Sequence, residues 1–523
     1  MKKINLMFFG VVLITLIVTS CEDMEKINTD PNNPQSVPSN MIFSGAQKKA
    51  MDYVYDLWFS GRQCLVYSQY WAQRNYTEED RYAIRESVNN NYFNALYTIA
   101  ANFDQVIKLN TDPETATLSA IYGANNNQIA AAKVMKAWIF SIITDTWGNV
   151  PYFETGKLLE GIYQPKYDDQ AVIYEELIKE LTEAANMIDE SEPAFTGGDM
   201  IYYNDASQWK KFANSLKCRL ALHTSKVNGS KWRQYIAEAL ESGVFESNDD
   251  VAAYHYSNVA PEYSYFYSGT FLDMRNDFTI TRPFVDILKG VRDTLNNKTH
   301  PWEGTVDPRL AMYTTPRSGK YIGIPYGIPS SAMTAAFKNA APNWYSMPPM
   351  HLMPDYPMPL MTYAEMCFIR SEYNGFSADD YEEGVDASLD YWSSVSGESV
   401  STDDKEAYIS AVTNNVDAEA VALQKYIDLW TNGTEAWVEI RRTGYPDQLL
   451  QPEDISVGTI KFEPLSDTKG LIIPRVKYPT NESTLNKANF DAAVSKLEDG
   501  TNNYYSPMFW DKRRTEGPHP ANK

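Results

Sequence analysis

Apolar residues recur at helical spacing over much of the first half of the chain, and this periodicity constrains the fold more than any other feature of the sequence. Three stripes between about residues 46 and 225 show it: Met135, Trp138, Ile139, Ile142 and Ile143; Tyr174, Leu177, Leu181, Ala184 and Ile188; and Trp209, Phe212, Leu216 and Leu220, after a candidate N-cap at Ser207. Residues three and four apart share one face of an α-helix, so these segments are predicted to be amphipathic helices that pack on one another.

A second helical block is predicted from about residue 363 to residue 438, and strand-like alternation is scarce. The second and third stripes are separated by close to one tetratricopeptide period of about 34 residues. The full residue pattern of that repeat is absent, so repeats are an open alternative.

Residues 283–359 lie between the two helical blocks and hold 12 of the 28 prolines in the chain. Helix interiors do not accept proline at this density, so irregular, extended chain is predicted there. Residues 254–267 add a cluster of tyrosines just upstream. Because long ordered loops on a rigid frame are usually functional, we expect the ligand to bind in this part of the chain.

These patterns predict a mainly α protein, with a helical scaffold, a Pro/Tyr-rich irregular binding region and little strand. The expected divisions are a leader (1–20), a lipidated terminus and tether (21–40), a helical scaffold (41–245), the irregular region (246–360), and a second helical block with the C-terminal segment (361–523).

The N-terminus has the form of an export signal, with two lysines before an uncharged stretch over residues 4–18. This stretch is shorter than the ~20 apolar residues that a membrane-spanning helix needs. Residues 18–21 (VTSC) resemble the bacterial lipobox, which predicts that Cys21 is lipidated and becomes the new N-terminus. Several acyl chains on one terminus form a stable membrane anchor.

Glu22 and Asp23 resemble the signal that places lipoproteins of the Bacteroidota on the outer face of the outer membrane.

Composition excludes several classes of function. With 46 Lys+Arg against 68 Asp+Glu, the formal charge of -22 repels polyanions, so no nucleic-acid partner is expected. Cys64, Cys218 and Cys367 are too few and too far apart for a disulfide framework, and we expect them to be buried as small hydrophobic residues.

Signs of catalysis or of metal binding are missing. None of the five histidines is paired at metal-ligand spacing, and the common motifs of hydrolases and nucleotide-binding enzymes are absent. Residues 28–34 (NTDPNNP) alternate like the opening of a calcium loop but lack its glycine and its closing glutamate. We therefore expect no enzyme, no cofactor and no metal.

Several motifs, taken together and in order, resemble those of the SusD/RagB family of nutrient-binding outer-membrane lipoproteins. Besides the lipobox and residues 28–34, they are residues 144–152 (TDTWGNVPY), 165–168 (PKYD), 209–216 (WKKFANSL), 307–310 (DPRL), 363–365 (YAE), 435–446 (EAWVEIRRTGYP), 473–482 (IPRVKYPTNE) and 509–511 (FWD). The resemblance implies a scaffold of tetratricopeptide-type helix pairs and an irregular region that carries the binding surface. It also implies a partnership with a SusC-type TonB-dependent transporter, for which the protein acts as a lid.

The motifs of this family are structural, so ligand contacts have to be chosen by chemistry. Sugar rings stack on tryptophan and tyrosine, and their hydroxyls hydrogen-bond to polar side chains. The expected ligand-binding residues are Trp71, Arg74, Tyr76, Tyr265, Tyr267, Arg275, Trp344 and Tyr345. The preferred ligand is an oligosaccharide, and the alternatives are an oligopeptide receptor and a purely structural surface lipoprotein.

Overall fold

The computed structural model describes residues 37–275, 277–337, 345–349 and 353–516. The α-helices in these ranges are α1 (Ser39–Val54), α2 (Leu65–Tyr67), α3 (Glu86–Thr111), α4 (Ala116–Ser119), α5 (Asn125–Trp147), α6 (Gln170–Met187), α7 (Ala206–His223), α8 (Lys231–Ser242), α9 (Tyr265–Tyr267), α10 (Arg282–Leu288), α11 (Arg309–Tyr313), α12 (Ser330–Phe337), α13 (Tyr363–Tyr373), α14 (Ala378–Ser396), α15 (Thr402–Val412), α16 (Ala418–Asp428), α17 (Gly433–Thr443), α18 (Glu482–Leu485) and α19 (Lys487–Val494).

The strands are short and few. They are β1 (Trp71–Gln73), β2 (Val150–Pro151), β3 (Tyr167–Asp168), β4 (Ala252–Tyr254), β5 (Phe278–Ile280), β6 (Met358–Met361), β7 (Ile455–Val457) and β8 (Ile460–Lys461), and they form four antiparallel pairs, β1 with β5, β2 with β3, β4 with β6 and β7 with β8. The predicted mainly α fold with little strand is therefore confirmed.

The longer helices of the first half pack serially. Helix α1 packs on α3, α3 on α5, α5 on α6, α6 on α7, and α7 on α8. The apolar stripes that predicted these helices supply the contacts. One residue of each stripe shows this, because Met135, Leu177 and Trp209 have no exposed area. Packing of each helix on its sequence neighbour is the arrangement of helical-repeat folds, in which every helix pair buries its apolar face against the next pair.

Glycines and side-chain caps set the ends of these helices. Helices α5 and α17 are followed by Gly148 (φ 85°) and Gly444 (φ 75°), positive φ values that a side chain would strain. Helix α7 starts two residues earlier than expected, because the Asp205 carboxylate caps it by accepting the backbone N–H of Ser207 and of Gln208. The prediction of Ser207 as the cap is therefore wrong, since Ser207 lies inside the first turn.

The second helical block joins the first through α13, which packs on α7 as well as on α14 and α16. At this junction Arg219 of α7 forms an ion pair with Glu365 of α13, with 2.6 Å between the charged groups. One cluster of buried apolar side chains runs through both blocks, so they share a core.

The irregular region is held against the scaffold at several points. Strand β5 within it pairs with β1 of the scaffold, and β4 near its start and β6 at its end pair with each other. The Tyr256 hydroxyl donates to Asp52 of α1 at 2.9 Å, and the Tyr55 hydroxyl donates to the Pro359 carbonyl. These contacts bring the loops over the end of α1.

Cys64, Cys218 and Cys367 are buried and unbridged, as the sequence predicts. Among the described helices, none has the length and apolar character needed to cross a bilayer. The predicted lipidation site Cys21 and the predicted ligand residue Trp344 lie outside the described residues.

Candidate ligand-binding groove

Trp71, predicted as a stacking surface, lies in the core. Its side chain has 0% exposed area, and its ring stacks on Phe278 with 4.7 Å between centroids. Its Nε1 donates to the Gly61 carbonyl at 2.6 Å. A ring enclosed in this way offers no face to a ligand, so this prediction is corrected. The polar sequence around Trp71 concealed strand β1, whose pairing with β5 buries the residue.

Arg74 and Tyr345 are also buried, with 5% and 4% of their areas exposed. Burial lowers the pKa of Arg74 and raises the pKa of Tyr345 to about 12. Both side chains are enclosed by the protein and offer no surface to a ligand, so both predictions are corrected. Tyr76 is 47% exposed, and the Arg85 guanidinium lies 5.6 Å from its ring centroid.

Three predicted residues lie near one another. Tyr265 and Tyr267 belong to the same short helix, α9, and the Tyr267 ring lies 5.2 Å from Tyr263 and 5.0 Å from Phe271. The Arg275 guanidinium covers the ring of Trp58 at 5.0 Å.

Trp58 is the residue that sequence reasoning missed. It is partly exposed and lies in the segment that follows α1. The guanidinium groups of Arg62 and Arg275 lie 4.7 Å and 5.0 Å from its ring centroid. Such cation–π contacts hold an aromatic ring in place at a partly exposed site. The available signal was that Trp58 belongs to none of the apolar helical stripes found in the sequence, so no pattern assigned its ring to a buried helix face.

Trp58 and Tyr265 line a groove with a cavity volume of about 900 Å³ between the irregular region and the first helices. We call it the primary groove. Its lining residues are Lys49, Asp52, Tyr53, Asp56, Trp58, Phe59, Ser87, Val88, Asn91, Tyr92, Asn94, Ala95, Thr98 and Tyr265. The volume is within the range of about 300–1,000 Å³ that is usual for ligand-binding clefts.

Helix α3 supplies the polar side of the primary groove. Ser87, Asn91, Asn94 and Thr98 are all exposed, and their spacing of four, three and four residues places them on one helix face. We call them the polar face of α3. The opposite side of the helix is buried in the scaffold through residues such as Leu96. At 1.5 Å per residue, the polar face extends about 16 Å along the helix axis.

Aromatic side chains supply the other side of the groove. Tyr53 is 39% exposed, and Phe59 stacks on Tyr92 with 3.9 Å between ring centroids. Burial raises the pKa of the Tyr265 hydroxyl to about 12, so this group is neutral and available as a hydrogen-bond donor. The groove thus combines flat rings with amide and hydroxyl groups.

Asp56 holds the loop that carries Trp58. It is 6% exposed, and its Oδ1 accepts the backbone N–H groups of Phe59 and Ser60, both at 2.8 Å. Burial raises the pKa of Asp56 to about 7, against the opposing effect of these hydrogen bonds and of the Arg62 charge.

One buried cluster of side chains has the composition of a metal site but is already neutralised. His223 Nε2 lies 2.9 Å from Glu435 and 3.8 Å from Glu439. Arg219 and Lys425 approach the same two carboxylates at 3.7 Å and 3.3 Å. Although burial opposes ionisation, the neighbouring His223 and Arg219 lower the pKa of Glu435 to about 2. This cluster, the buried clamp, joins α7, α16 and α17 by charge pairing.

Comparison with solved structures shows the same architecture in several proteins. A chitin-binding protein is 26% identical, with a TM-score of 0.72, and the match covers 90% of this chain and 99% of that chain. A SusD homologue from Parabacteroides distasonis is 21% identical, with a TM-score of 0.74 and coverage of 91% and 98%. A chitin-binding SusD homologue from Flavobacterium johnsoniae is 22% identical, with a TM-score of 0.68 and coverage of 91% and 98%.

The comparison with family models agrees with the structural comparison. No curated protein sequence matches the chain significantly. Residues 31–479 match the family model SusD-like_2, described as "Starch-binding associating with outer membrane". Since this match covers most of the sequence, the chain belongs to the SusD-like family.

Proposed function

We propose that the chain binds an oligosaccharide in the primary groove. The observation that carries this proposal is that one cavity is lined by the rings of Tyr53, Trp58 and Tyr265 and by the polar face of α3. Sugar rings present apolar C–H faces and a rim of hydroxyls, and aromatic rings beside amide and hydroxyl groups complement both features. The extent of the polar face, about 16 Å at 1.5 Å per residue, favours an oligomer over a single sugar.

The family supports a function in binding rather than in catalysis, because its description names starch binding and association with the outer membrane. Two of the structural relatives are described as chitin-binding. We therefore propose a nutrient-binding protein of the outer membrane. In this proposal Cys21 carries the lipid anchor, and the bound oligosaccharide is passed to a SusC-type TonB-dependent transporter.

Titration calorimetry with purified protein tests the ligand class. The probes are maltoheptaose, chitohexaose and a cationic oligopeptide, each titrated into the parent, Trp58→Ala and the control Ile121→Ala. Ile121 is 67% exposed and lies outside the primary groove. We expect an oligosaccharide to bind the parent and the control equally and Trp58→Ala more weakly. Binding of the peptide alone would replace the oligosaccharide proposal with the peptide alternative, and binding that ignores Trp58 would reject the primary groove.

Affinity purification tests the proposed transfer to a transporter. The tagged chain is extracted in mild detergent from cells that express it with its neighbouring genes. We expect a TonB-dependent barrel to copurify. Repeated recovery of the chain alone would contradict this part of the proposal.

A further inference from the structure

A second groove lies on another part of the molecule, between the start of α7, the 3-10 turn Asn248–Asp250 and the C-terminal half of α14. Its cavity volume is about 610 Å³. It is lined by Ile201, Tyr202, Tyr203, Asp205, Gln208, Asn248, Asp249, Val251, Ala253, His255, Met353, Asp355, Pro357, Tyr391, Ser394 and Val395. We call it the second groove, and it shares no lining residue with the primary groove.

The backbone that carries Tyr203, an aromatic residue of the second groove, has an unusual conformation. Tyr203 has φ 52° and is followed by Asn204 with φ 98°, although residues other than glycine rarely adopt positive φ. Both sides of this turn are anchored, because the Asn204 carbonyl accepts the Ala194 N–H at 3.1 Å and the Tyr202 hydroxyl donates to the Asp250 carbonyl at 3.0 Å. Strained backbone of this kind tends to occur at functional sites.

The ring of Tyr203 makes few contacts within the protein. It is 56% exposed, and its one described ring partner is His255, with 5.7 Å between centroids and 34° between planes. Burial lowers the pKa of His255, so the pair presents a neutral aromatic surface. A second flat molecule or a sugar face could cover this surface.

Polar atoms without partners line the same groove. Within the described part of the chain, the Tyr391 hydroxyl, Asn248 Oδ1 and Gln208 Oε1 are buried and have no hydrogen-bond partner. Tyr391 is only 9% exposed, and the amide of Asn248 is oriented by its Nδ2, which donates to the Ala387 carbonyl at 3.0 Å. A buried polar group without a partner costs about 1–3 kcal/mol of free energy. These three atoms lie just below the groove surface, with almost no accessible area, so a ligand pairs with them only when the side chains of the groove floor shift to admit it.

The charges around the second groove define the ligand further. Asp205, Asp249 and Asp355 contribute carboxylates, and the described lining residues include no lysine or arginine. This lining accepts hydrogen bonds and repels anions. Neutral sugars donate through several hydroxyls and carry no negative charge, whereas uronic acids and phosphorylated sugars would be repelled.

We propose that the second groove is a second binding site for a neutral sugar unit, which stacks on Tyr203 and, after a local shift of the groove floor, hydrogen-bonds to the Tyr391 hydroxyl and the Asn248 amide. The choice of sugar rests on the proposed function, but the site itself rests on residues that the primary groove does not use. A protein with two sites can hold a polymer at two points, and two linked contacts raise the total affinity without either contact being strong.

Calorimetry on site-directed variants tests the second groove. The probe is chitotriose or maltotriose, whichever binds the parent, and it is titrated into the parent, Trp58→Ala, Tyr203→Ala, Tyr391→Phe and Ile121→Ala. We expect two sites in the parent and in Ile121→Ala. Trp58→Ala should retain the second site alone, and Tyr203→Ala should weaken that site about threefold to tenfold, as expected for the loss of one aromatic contact.

Tyr391→Phe separates binding from a structural effect, because it removes one hydroxyl and keeps the ring. A ligand contact predicts weaker second-site binding, about twofold to tenfold. A higher melting temperature with unchanged binding would show that this hydroxyl is merely unsatisfied, and it would overturn its assigned role.

The outcomes distinguish this proposal from that for the primary groove. One site that is lost in Trp58→Ala and unaffected in Tyr203→Ala overturns the second site and leaves the primary groove intact. One site that is lost in Tyr203→Ala alone supports the second groove and rejects the primary one. If neither trisaccharide binds the parent, the assignment of neutral sugars is overturned for both grooves.

Discussion

Asp56 illustrates at the scale of one residue how the protein controls its candidate site. The carboxylate is buried, yet it fixes the loop of Trp58 by accepting two backbone N–H groups at 2.8 Å. Burial raises its pKa from 3.8 to about 7 in the folded chain. A raised folded pKa means that the folded state binds the proton more tightly than the unfolded state does. The stability that this proton contributes is therefore fully present below about pH 4 and is lost as the pH rises through about 7.

Replacing Asp56 by asparagine should remove this pH dependence, because the amide keeps an oxygen acceptor and does not ionise. We expect the free energy of unfolding of Asp56→Asn minus that of the parent to increase as the pH rises from 5 to 8, because only the parent loses this stability over that range. Urea unfolding of both proteins at pH 5, 6.5 and 8 measures the difference. A difference that is constant over this range, or that changes in the opposite direction, would contradict the assigned burial of this carboxyl.

Trp58 and Trp71 offer a matched pair of aromatic truncations. Trp58→Ala removes a partly exposed ring, so we expect oligosaccharide binding to weaken by about 1–3 kcal/mol with little loss of stability. Trp71→Ala removes a ring with 0% exposure and should lower the free energy of unfolding by about 3–5 kcal/mol. Melting curves and calorimetry on both variants give the comparison, which fails if Trp58→Ala is the less stable protein.

At the scale of secondary-structure elements, α3 serves two purposes with two faces. Its inner face packs in the scaffold between α1 and α5, and its polar face lines the primary groove. A helix fixed along its length by its neighbours positions side chains more accurately than a loop does. The polar face of α3 therefore forms the rigid side of the groove, and α1 with the segment after it supplies Tyr53 and Trp58 on the aromatic side, to which the irregular region adds Tyr265.

The buried clamp fixes α17 to α7 and α16, so its loss should affect stability rather than binding. Glu435→Ala would leave Arg219 and His223 without a carboxylate that lies 3.7 Å and 2.9 Å away. Breaking a buried ion pair from one side costs about 3–5 kcal/mol, and urea unfolding should show a loss of this size. Oligosaccharide affinity of the folded fraction should match that of the parent.

A surface pair provides the control for this measurement. Asp390 contacts Lys405 at 2.6 Å and is 58% exposed. Asp390→Ala should change the free energy of unfolding by no more than about 1 kcal/mol, because exposed ion pairs contribute little. Equal losses in Glu435→Ala and Asp390→Ala would refute the clamp as a main connection between the helices.

At the scale of the whole molecule, the two helical blocks share one core, and the irregular region is attached to it where β5 pairs with β1 and where the Tyr256 hydroxyl donates to Asp52 of α1. Both candidate grooves lie where loops of this region meet helices of the scaffold. A continuous helical frame thus supports two separate candidate sites.

Removal of the predicted lipid attachment should change the location of the whole protein. We expect Cys21→Ala to abolish acylation and to release the protein from the outer membrane, since several acyl chains are needed for stable anchoring. Membrane fractionation after salt and carbonate washes, with metabolic labelling by a fatty acid, measures both effects. A variant that stays membrane-bound without label would rule out Cys21 as the anchor.

The sequence by itself determined the class of fold. Helical spacing of residues such as Met135 and Trp209 identified the scaffold, because burial of one helix face depends mainly on local periodicity. The density of proline identified the irregular region for an equally local reason. The ordered motifs identified the family, since they extend over nearly the whole chain.

Only the tertiary structure decided which aromatic residues can meet a ligand. Trp71 and Trp58 lie thirteen positions apart, and Trp71 has the more polar neighbours in sequence. Pairing of β1 with β5 nevertheless encloses Trp71, and the end of α1 leaves Trp58 at the groove. Tyr203 and Tyr391 are far apart in the chain and line one cavity. Exposure and proximity depend on which distant segments pack together, and no local pattern encodes that.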